Sequence, residues 1–394
     1  MIHPPPLDPS VAKLHELERS LASDFVGKGE LIRLLLLSLV AGEHLLLVGP
    51  PGTAKSALVR TLASGLSARY FEYLLTRFSE PNELLGPVDI AAFRQGTFRR
   101  RTELMLPEAE VVFLDEIFKA SSAILNSLLG LLNEKQVLIG AERVSVPLLS
   151  LFAASNEIPS DDNLTALLDR FLLRVRTDNV PGHQFALLVQ KGLTLEKQNM
   201  LSEVGRKATV PTSVAPISVG ELLKLRAALV HDTTLSEECL REYKLLVSQI
   251  RGEGIFLSDR RLVKFLKLVL ASALVDGRKR AEVADLFVLK HAWNTVEQAE
   301  ILSELVDSVL RQHNAATPGH HRATPIEPLL REFHELQLAL QQAGELSDVQ
   351  LFAKLRALGE LRFALMQHNT PQSQDVLKKL ETLLETTVAQ SPLL

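Results

Sequence analysis

The stretch that decides the fold is Gly49-Pro50-Pro51-Gly52-Thr53-Ala54-Lys55-Ser56. An apolar run, His44-Leu45-Leu46-Leu47-Val48, precedes it and predicts a buried parallel strand. Apolar residues at helical spacing follow it, over residues 57–62. Strand, glycine-rich loop and helix in this order form the context of a phosphate-binding loop. We therefore expect the loop N–H groups and the helix N-terminus to bind a polyphosphate.

Two residues of the loop have predicted roles of their own. Lys55 supplies a positive charge between the outer phosphates, and the Ser56 hydroxyl is predicted to ligate Mg²⁺. Ala54 stands where such loops have glycine. Its backbone must therefore lie in a region that an L-residue tolerates, or carry some strain.

Composition limits the function classes. The chain has 394 residues, enough for two or three domains with a sizeable core. Its net charge of -4 gives no overall attraction to nucleic acid or to membrane surfaces. The single cysteine excludes an intramolecular disulfide, as suits a reducing cytosol. The longest apolar run, residues 34–41, is too short for a membrane span, and the N-terminus has no signal-peptide pattern, so we expect a cytoplasmic protein.

The order of strand and helix signals predicts the domains. Residues 1–25 contain an N-terminal helix, with Asp8 as its N-cap and Pro9 in its first turn. Strands alternate with helices over residues 26–180, which predicts a parallel α/β sheet between layers of helices. Strand signals fade beyond Pro181, so residues 181–300 are predicted to form an all-helical lid.

Residues 301–394 are predicted to be a small C-terminal helical unit with a linker at residues 314–328. The linker contains His320 and His321. A metal site is one interpretation of this pair, but no second group of ligands has suitable spacing. Linker histidines are the favoured interpretation.

Two hairpins are predicted to interrupt the α/β core, at about residues 92–102 and 135–147. The first carries four arginines, which permits a nucleic-acid interpretation: Arg94, Arg99, Arg100 and Arg101. Because no aromatic platform accompanies them beyond Phe93 and Phe98, a solvated or partner-binding hairpin is favoured.

Polar residues follow two other predicted strands. Asp115 and Glu116 end the run Val111-Val112-Phe113-Leu114, and Asn156 ends the run of residues 148–155. Ligands of open α/β sheets bind beyond the carboxyl ends of the strands. Asp115 is therefore predicted to hold Mg²⁺ through water, Glu116 to act as the general base towards the attacking water, and Asn156 to orient that water.

At this point the chain resembles the AAA+ ATPases, in particular the MoxR family and its RavA-like branch. The resemblance covers about residues 10–298, and its motifs occur in the family's order. Besides the phosphate loop, the matching stretches are residues 71–78, 106–110 running into Phe113-Leu114-Asp115-Glu116-Ile117, Ala153-Ala154-Ser155-Asn156-Glu157, Leu168-Asp169-Arg170-Phe171 and Leu257-Ser258-Asp259-Arg260-Arg261.

The resemblance implies roles that spacing alone does not give. Asn156 matches the first sensor, Arg170 the arginine finger that reaches a neighbouring subunit's nucleotide, and Arg260 the second sensor in the lid. Arg174 and Arg261 are the near-neighbour alternates. ATP and Mg²⁺ are the implied cofactors.

The implied assembly is a hexameric ring that remodels a client protein complex together with a von Willebrand A-domain protein. Residues 314–328 lie about where RavA-like chains insert a small β-rich module, and only helices are predicted afterwards. The partner contacts of that module are therefore not expected here.

Two other function classes stay open. Related AAA+ clades with the same hairpins act on DNA, although the acidic net charge and the lack of an appended DNA-binding module argue against a DNA motor here. A non-catalytic nucleotide switch or scaffold is the third hypothesis, and the intact Asp115-Glu116 pair argues against it.

Overall fold

The structure is a computed structural model that describes residues 8–140, 142–159, 164–180, 182–185, 187–193, 216–313, 326–341 and parts of 354–389. The chain forms two compact units. The first contains Met1–Asn179 and Val210–Gly319, and the second contains Val180–Thr209 and His320–Leu394. Every residue of the predicted site lies in the first unit.

The first unit contains most of the regular structure. Its longer strands are β1 (Leu45–Val48), β2 (Tyr70–Leu74), β3 (Val111–Asp115), β4 (Gln136–Ile139), β5 (Glu142–Ser145), β6 (Ser150–Ser155) and β7 (Leu173–Arg176). Its helices are α1 (Pro9–Asp24), α2 (Gly29–Ala41), α3 (Lys55–Ser64), α4 (Pro81–Leu85), α5 (Ile90–Arg94), α6 (Ser122–Glu134), α7 (Thr165–Leu168), α8 (Val219–His231), α9 (Glu237–Gly252), α10 (Asp259–Val275) and α11 (Gln298–Gln312). Short 3₁₀ helices lie at Leu106–Glu108 and Ile117–Lys119, and a longer one at Val283–His291.

Five strands form one parallel sheet in the order β2-β3-β6-β1-β7. Strand β1 lies between β6 and β7, with Leu45 opposite Phe152 on one side and Leu173 on the other. All four residues of β1 are buried, which explains why its sequence is a continuous apolar run. The predicted parallel α/β core is confirmed. The ends of the strands define two edges, called here the carboxyl edge and the amino edge.

Helices α1 and α2 form as their sequences predict. The Asp8 carboxylate accepts the Ser10 N–H and caps α1, with Pro9 in the first turn. Helix α2 buries every side chain from Leu31 to Ala41, and ends at Gly42 in the left-handed region. A helix that is apolar on all sides belongs inside the core.

The first predicted hairpin is wrong at its tip. Asp89 accepts the N–H groups of Ala91 and Ala92, so the chain starts helix α5 there instead of a strand. Antiparallel pairing is found closer to the core, where Val88 pairs with Arg100. The second hairpin is present as β4 and β5, with Gln136 opposite Ser145.

The predicted lid boundaries need correction. Residue 300 lies inside α11, which packs on the 3₁₀ helix Val283–His291, so this boundary cuts through a packed element. Residues 180–209 group with the second unit instead of the lid. Between the helices in the described part of the lid, the two-residue strands Thr234–Leu235 and Arg280–Ala281 pair with each other. Another such pair, Leu66–Ser67 with Ile217–Ser218, lies in the same unit.

The second unit has helices α12 (Ile326–Gln341) and α13 (Pro371–Ala389). A small separate core includes Leu329, Phe333, Leu358, Leu361, Leu365, Val376 and Leu380. The predicted linker, including His320 and His321, lies outside the described residues up to residue 325, and residues 326–328 already belong to α12. In the part of the chain that the structure describes, no helix combines the length and apolarity needed to cross a bilayer.

Candidate active site

The predicted phosphate loop joins β1 to α3 at the carboxyl edge. A Cβ atom on Gly49 would lie 2.1 Å from the Thr177 carbonyl oxygen, so only glycine fits there. Gly52 has a φ of +81° and open space around it, in the region that favours glycine. Helix α3 has no side-chain cap, so its first N–H groups are left for another acceptor. These features suit a phosphate.

Ala54 adopts the left-handed conformation, with φ 62° and ψ 25°. It is the strained alternative of the two that the sequence allowed. This backbone region disfavours an L-residue by roughly 1–2 kcal/mol. The loop therefore keeps a glycine-like shape at a position that has no glycine.

Lys55 lies beneath the loop and is buried. Its Nζ donates to the carbonyl oxygens of Gly49, at 2.7 Å, and Pro50, at 2.9 Å. An ammonium group has three N–H donors, so one remains for a phosphate oxygen. Burial lowers the pKa of Lys55, while the nearby carboxylates of Asp115 and Glu116 oppose that shift.

The donor set for Mg²⁺ is oxygen-rich and small. Asp115 ends β3, and its Oδ1 accepts the Glu116 N–H at 2.9 Å. Burial, more than any neighbour, raises the pKa of the Asp115 carboxyl, which a bound cation would counteract. The Ser56 hydroxyl has no hydrogen-bond partner among the described residues. One carboxylate and one hydroxyl fit Mg²⁺, which takes its other ligands from water and phosphates.

Glu116 is held in a strained backbone, with φ 53° and ψ 45°. Its Oε1 accepts the Asn156 amide at 2.6 Å and lies 3.3 Å from the Lys119 ammonium. Its Oε2 has no hydrogen-bond or ion-pair partner within the described part of the chain. Strain of this kind in a non-glycine residue recurs at active sites. The structure thus brings Lys55, Asp115, Glu116 and Asn156 together, as the sequence predicted.

Two residues near the phosphate loop, Thr177 and Lys28, were not predicted from the sequence. The Thr177 hydroxyl lies 3.3 Å from the Thr53 hydroxyl, and the Thr177 N–H donates to the Val48 carbonyl at 2.7 Å. The Lys28 ammonium donates to the Asp178 carbonyl at 2.7 Å and lies near enough to Lys55 for mutual repulsion. Thr177 directly follows β7, so the strand-end rule that found Asn156 was a usable signal for it. Lys28 had none.

Arg170 lies at the other edge of the sheet. It precedes β7 by three residues, and β7 begins opposite the first residue of β1. Four residues of β1 separate the two edges by about 10 Å. The Arg170 guanidinium pairs with Asp169 at 3.0 Å and is partly exposed. It is not brought to the phosphate loop of its own chain.

Arg260 is also at the amino edge. It is exposed, and its guanidinium donates to the Asn133 amide oxygen at 3.2 Å. Asn133 lies in the last turn of α6 beside Leu132, whose carbonyl is 3.3 Å from His44, the residue before β1. Within one chain the Arg260 guanidinium therefore lies away from the phosphate loop, and its role as a nucleotide sensor stays a prediction. The alternates Arg174 and Arg261 are buried nearby and also lie away from the loop.

Comparison with known proteins adds two family models and several relatives. The model described as a MoxR domain in the MoxR-vWA-beta-propeller ternary systems matches residues 12–212, and an AAA lid domain model matches residues 234–306. An uncharacterised protein of Methanocaldococcus jannaschii is 36% identical over 304 residues, 76% of this chain and 75% of that protein. A second one is 33% identical over 380 residues, 93% and 96% of the two chains.

Two further proteins have more informative descriptions. A protein named chaperone MoxR1 from Mycobacterium tuberculosis is 27% identical over 222 residues, 55% of this chain and 54% of that protein. A crystal structure of a candidate ATPase from Cytophaga hutchinsonii aligns with a TM-score of 0.58 at 21% identity, over 77% of this chain and 94% of that one. At this identity the likeness shows a shared fold.

Proposed function

The chain belongs to the MoxR family of AAA+ ATPases, and on that basis we propose that it is a magnesium-dependent ring ATPase that remodels or helps assemble protein complexes. The observation that carries the proposal is the contact between Glu116 and Asn156 at 2.6 Å, beside Lys55 and Asp115. A loop that only bound nucleotide would need no base held by an amide. The RavA-like placement within the family stays a prediction.

Nucleotide binding rests on the loop. The uncapped N–H groups of α3 and the remaining Lys55 donor would bind the phosphates, while the Thr53–Thr177 contact fixes the loop beside the end of β7. Ser56 and, through water, Asp115 would hold Mg²⁺, which would neutralise phosphate charge while the phosphoanhydride bond of ATP is broken.

Water activation rests on Glu116. Its Oε1 is occupied by Asn156 and Lys119, which leaves Oε2 to accept a proton from the attacking water. Asn156 fixes the direction of this carboxylate and has a second amide atom to orient the water. A positioned base of this kind contributes about 10²–10⁴ in rate.

The position of Arg170 favours a ring. An arginine at the amino edge cannot reach the loop at the carboxyl edge of the same chain, whereas a neighbouring copy can present its carboxyl edge to it. An arginine supplied in this way stabilises the charge of the transition state. We propose a closed homo-oligomer, hexameric as in the family, and Arg260 then faces the same neighbour.

The proposed partner is a von Willebrand A-domain protein. The family model that matches residues 12–212 is described from systems in which a MoxR protein, a vWA protein and a β-propeller protein occur together. A relative named as a chaperone supports the remodelling role. The client is then a protein complex bound together with this partner.

A DNA motor is the second hypothesis, and the structure gives it little support. Arg100 donates to the Asn82 side chain and the Gly86 carbonyl, and Arg101 lies 3.9 Å from Asp89. Half of the arginine cluster therefore has partners within the fold. Salt-dependent DNA binding at physiological ionic strength would favour the motor.

The decisive experiment is the substitution Glu116→Gln. We expect phosphate release to fall by about 10²–10⁴, because glutamine cannot accept the proton, while Mg-ATP still binds. A phosphate-release assay measures the first quantity and isothermal titration the second. Omitting Mg²⁺ should stop hydrolysis in the unmodified chain.

A matched control is Glu157→Gln, which neutralises an exposed carboxylate one residue after Asn156. It should leave the rate unchanged. Normal hydrolysis by Glu116→Gln would contradict the mechanism, and lack of hydrolysis in the unmodified chain with its partner would favour the non-catalytic switch.

A further inference from the structure

One lid residue, Asn294, contacts both segments that carry the amino-edge arginines. Its Oδ1 accepts a hydrogen bond from Arg174 of β7 and another from Arg261 of α10, each at 2.7 Å. Its Nδ2 donates to the Phe256 carbonyl at 2.9 Å, and its N–H donates to Gln298 at 2.8 Å. Arg174, Arg261 and Asn294 are called here the arginine clasp.

Neighbouring carbonyl groups reinforce the clasp. Arg174 also donates to the Trp293 carbonyl at 2.5 Å, and Arg261 donates to the Ala292 carbonyl at 2.9 Å. The segment before α11 thus binds the sheet on one side and α10 on the other. A shift of this segment must move both arginines or break several charge-assisted hydrogen bonds.

The clasp reaches the arginine-finger turn through Arg174. The second Nη of Arg174 donates to the Leu168 carbonyl at 2.9 Å, one residue before Asp169 and two before Arg170. Burial lowers the pKa of both clasp arginines, and the Asp169 carboxylate lies close enough to oppose that shift. Asp169 also pairs directly with Arg170. One carboxylate therefore balances three guanidinium groups.

The clasp also orients Arg260, because Arg261 is the next residue in the first turn of α10. Arg174 and Arg261 are only 3% and 2% exposed. Burial lowers their pKa, to about 9 for Arg174 and about 10 for Arg261, so both remain charged at neutral pH. Buried charges of this kind depend on well-placed acceptors, and Asn294 supplies the one that both share.

We propose that Asn294 is a positioning residue that couples the lid to the arginine finger. It holds Arg170 through Arg174 and the Leu168 carbonyl, and it holds Arg260 through Arg261. A lid movement in one subunit would then change hydrolysis in the neighbouring subunit. The inference rests on the proposed function, since it requires Arg170 to act on a neighbour's nucleotide.

The test uses Asn294→Ala in the full chain. Misplacing a catalytic group by about 1 Å can reduce the rate about 10²-fold. We expect kcat to fall by about that factor, while KM for ATP is unchanged because the loop is intact. Asn294→Asp keeps an acceptor for both arginines and should restore kcat. Asn294→Ser, which is too short to reach both, should behave like alanine if the alanine variant folds poorly.

Mixing the variant with Glu116→Gln subunits separates positioning from damage to the fold. An Asn294→Ala subunit has an intact phosphate loop and Glu116, and a Glu116→Gln neighbour can supply a well-placed Arg170. We therefore expect the mixture to hydrolyse ATP faster than either variant alone, as a mixture with Arg170→Ala should. Absence of this gain, where Arg170→Ala shows it, would overturn the inference alone.

Gln298→Ala is the matched control. It removes a contact with the Asn294 N–H but leaves both arginine contacts. It should lower Tm without lowering kcat. An equal loss of kcat in this control would assign the effect to lid stability and overturn the inference. Full activity of Arg170→Ala would overturn the trans mechanism itself, and this inference with it.

Discussion

The two edges of the parallel sheet have opposite designs. At the carboxyl edge, Ala54 and Glu116 are held in left-handed backbone, and donor and acceptor atoms of Lys55 and Glu116 are left over for a ligand. At the amino edge, the ends of Arg174 and Arg261 are bound by an amide and several carbonyls. The carboxyl edge therefore has polar groups left for a ligand, whereas the charged groups of the amino edge are bound by other residues of the same chain.

The difference explains how one chain can contain an incomplete site. The carboxyl edge gathers the groups that we propose to bind phosphate and to activate water, whereas the candidate finger lies at the amino edge. Strand β7 links the two, because it runs from the turn of Arg170 to Thr177, which contacts the phosphate loop through Thr53. If Arg170 acts on a neighbouring subunit's nucleotide, as we propose, strand β7 would connect that arginine to the phosphate loop of its own chain.

The largest expected effect is on kcat, in the variant Arg170→Ala, which removes the guanidinium of the candidate arginine finger. If Arg170 completes a neighbour's site, kcat should fall by about 10³–10⁵ while ATP binding persists. Steady-state hydrolysis and ATP titration measure the two. A mixture with Glu116→Gln subunits should recover part of the rate, because intact half-sites then meet at some interfaces.

The control is Arg176→Ala, an exposed arginine at the carboxyl end of β7 that pairs with Asp178. Its loss should leave hydrolysis nearly unchanged, because an exposed ion pair of this kind contributes little to the stability of the fold. If Arg170→Ala lost activity and no mixture recovered any, the assignment of the two edges to different subunits would fail.

The carboxyl edge was predictable because its signals are local. Polar residues at the end of an apolar run, here Asp115, Glu116 and Asn156, mark the carboxyl end of a strand. Parallel strands bring these ends together at one edge of the sheet. The tip of the first hairpin was not predicted, because capping by Asp89 outcompeted the turn expected at Gly96. The lid boundary failed for a similar reason, since only packing shows that α11 belongs with Val283–His291.

The amino edge was less predictable because its contacts join residues far apart in sequence. Arg174 meets Asn294 across 120 positions, and Arg226 reaches the Leu39 carbonyl across 187. No spacing rule connects such pairs. The resemblance supplied Arg170 and Arg260 as candidates, but not the edge at which they lie.

An intermediate effect is expected at acid pH, where His44 at the amino edge should lower the free energy of unfolding. The ring is buried, with Nδ1 accepting the Leu151 N–H at 3.1 Å and Nε2 lying 3.3 Å from the Leu132 carbonyl. Burial lowers its pKa to about 4, and Lys264 and Lys135 act in the same direction against the Glu43 carboxylate.

The sign follows from the unfolded chain, where histidine titrates near pH 6.5. Between that pH and about pH 4, His44 binds a proton in the unfolded state but not in the folded state. The stabilisation is therefore complete above pH 6.5, and about 2 kcal/mol of it should be lost by pH 5. Urea unfolding at both pH values measures this loss.

His44→Gln removes the titration and keeps one donor and one acceptor, so the loss between the two pH values should shrink by the same amount. His231→Gln changes an exposed histidine and should leave the loss as it is. An unchanged pH dependence in His44→Gln would mean that another group causes the loss of stability in acid.

The smallest expected effect tests the strain at the carboxyl edge. Ala54→Gly should raise the free energy of unfolding by about 1 kcal/mol, because glycine adopts φ 62° freely but loses more chain entropy on folding. Gly52→Ala is the mirror-image control: a Cβ has open space there, so only the φ of +81° opposes it, and stability should fall by a similar amount. ATP affinity should change little in Ala54→Gly, since the alanine backbone already has the conformation that glycine would take. A large change in affinity would show that the alanine methyl group itself shapes the phosphate site. The strained backbone at Ala54 would then contribute to nucleotide binding.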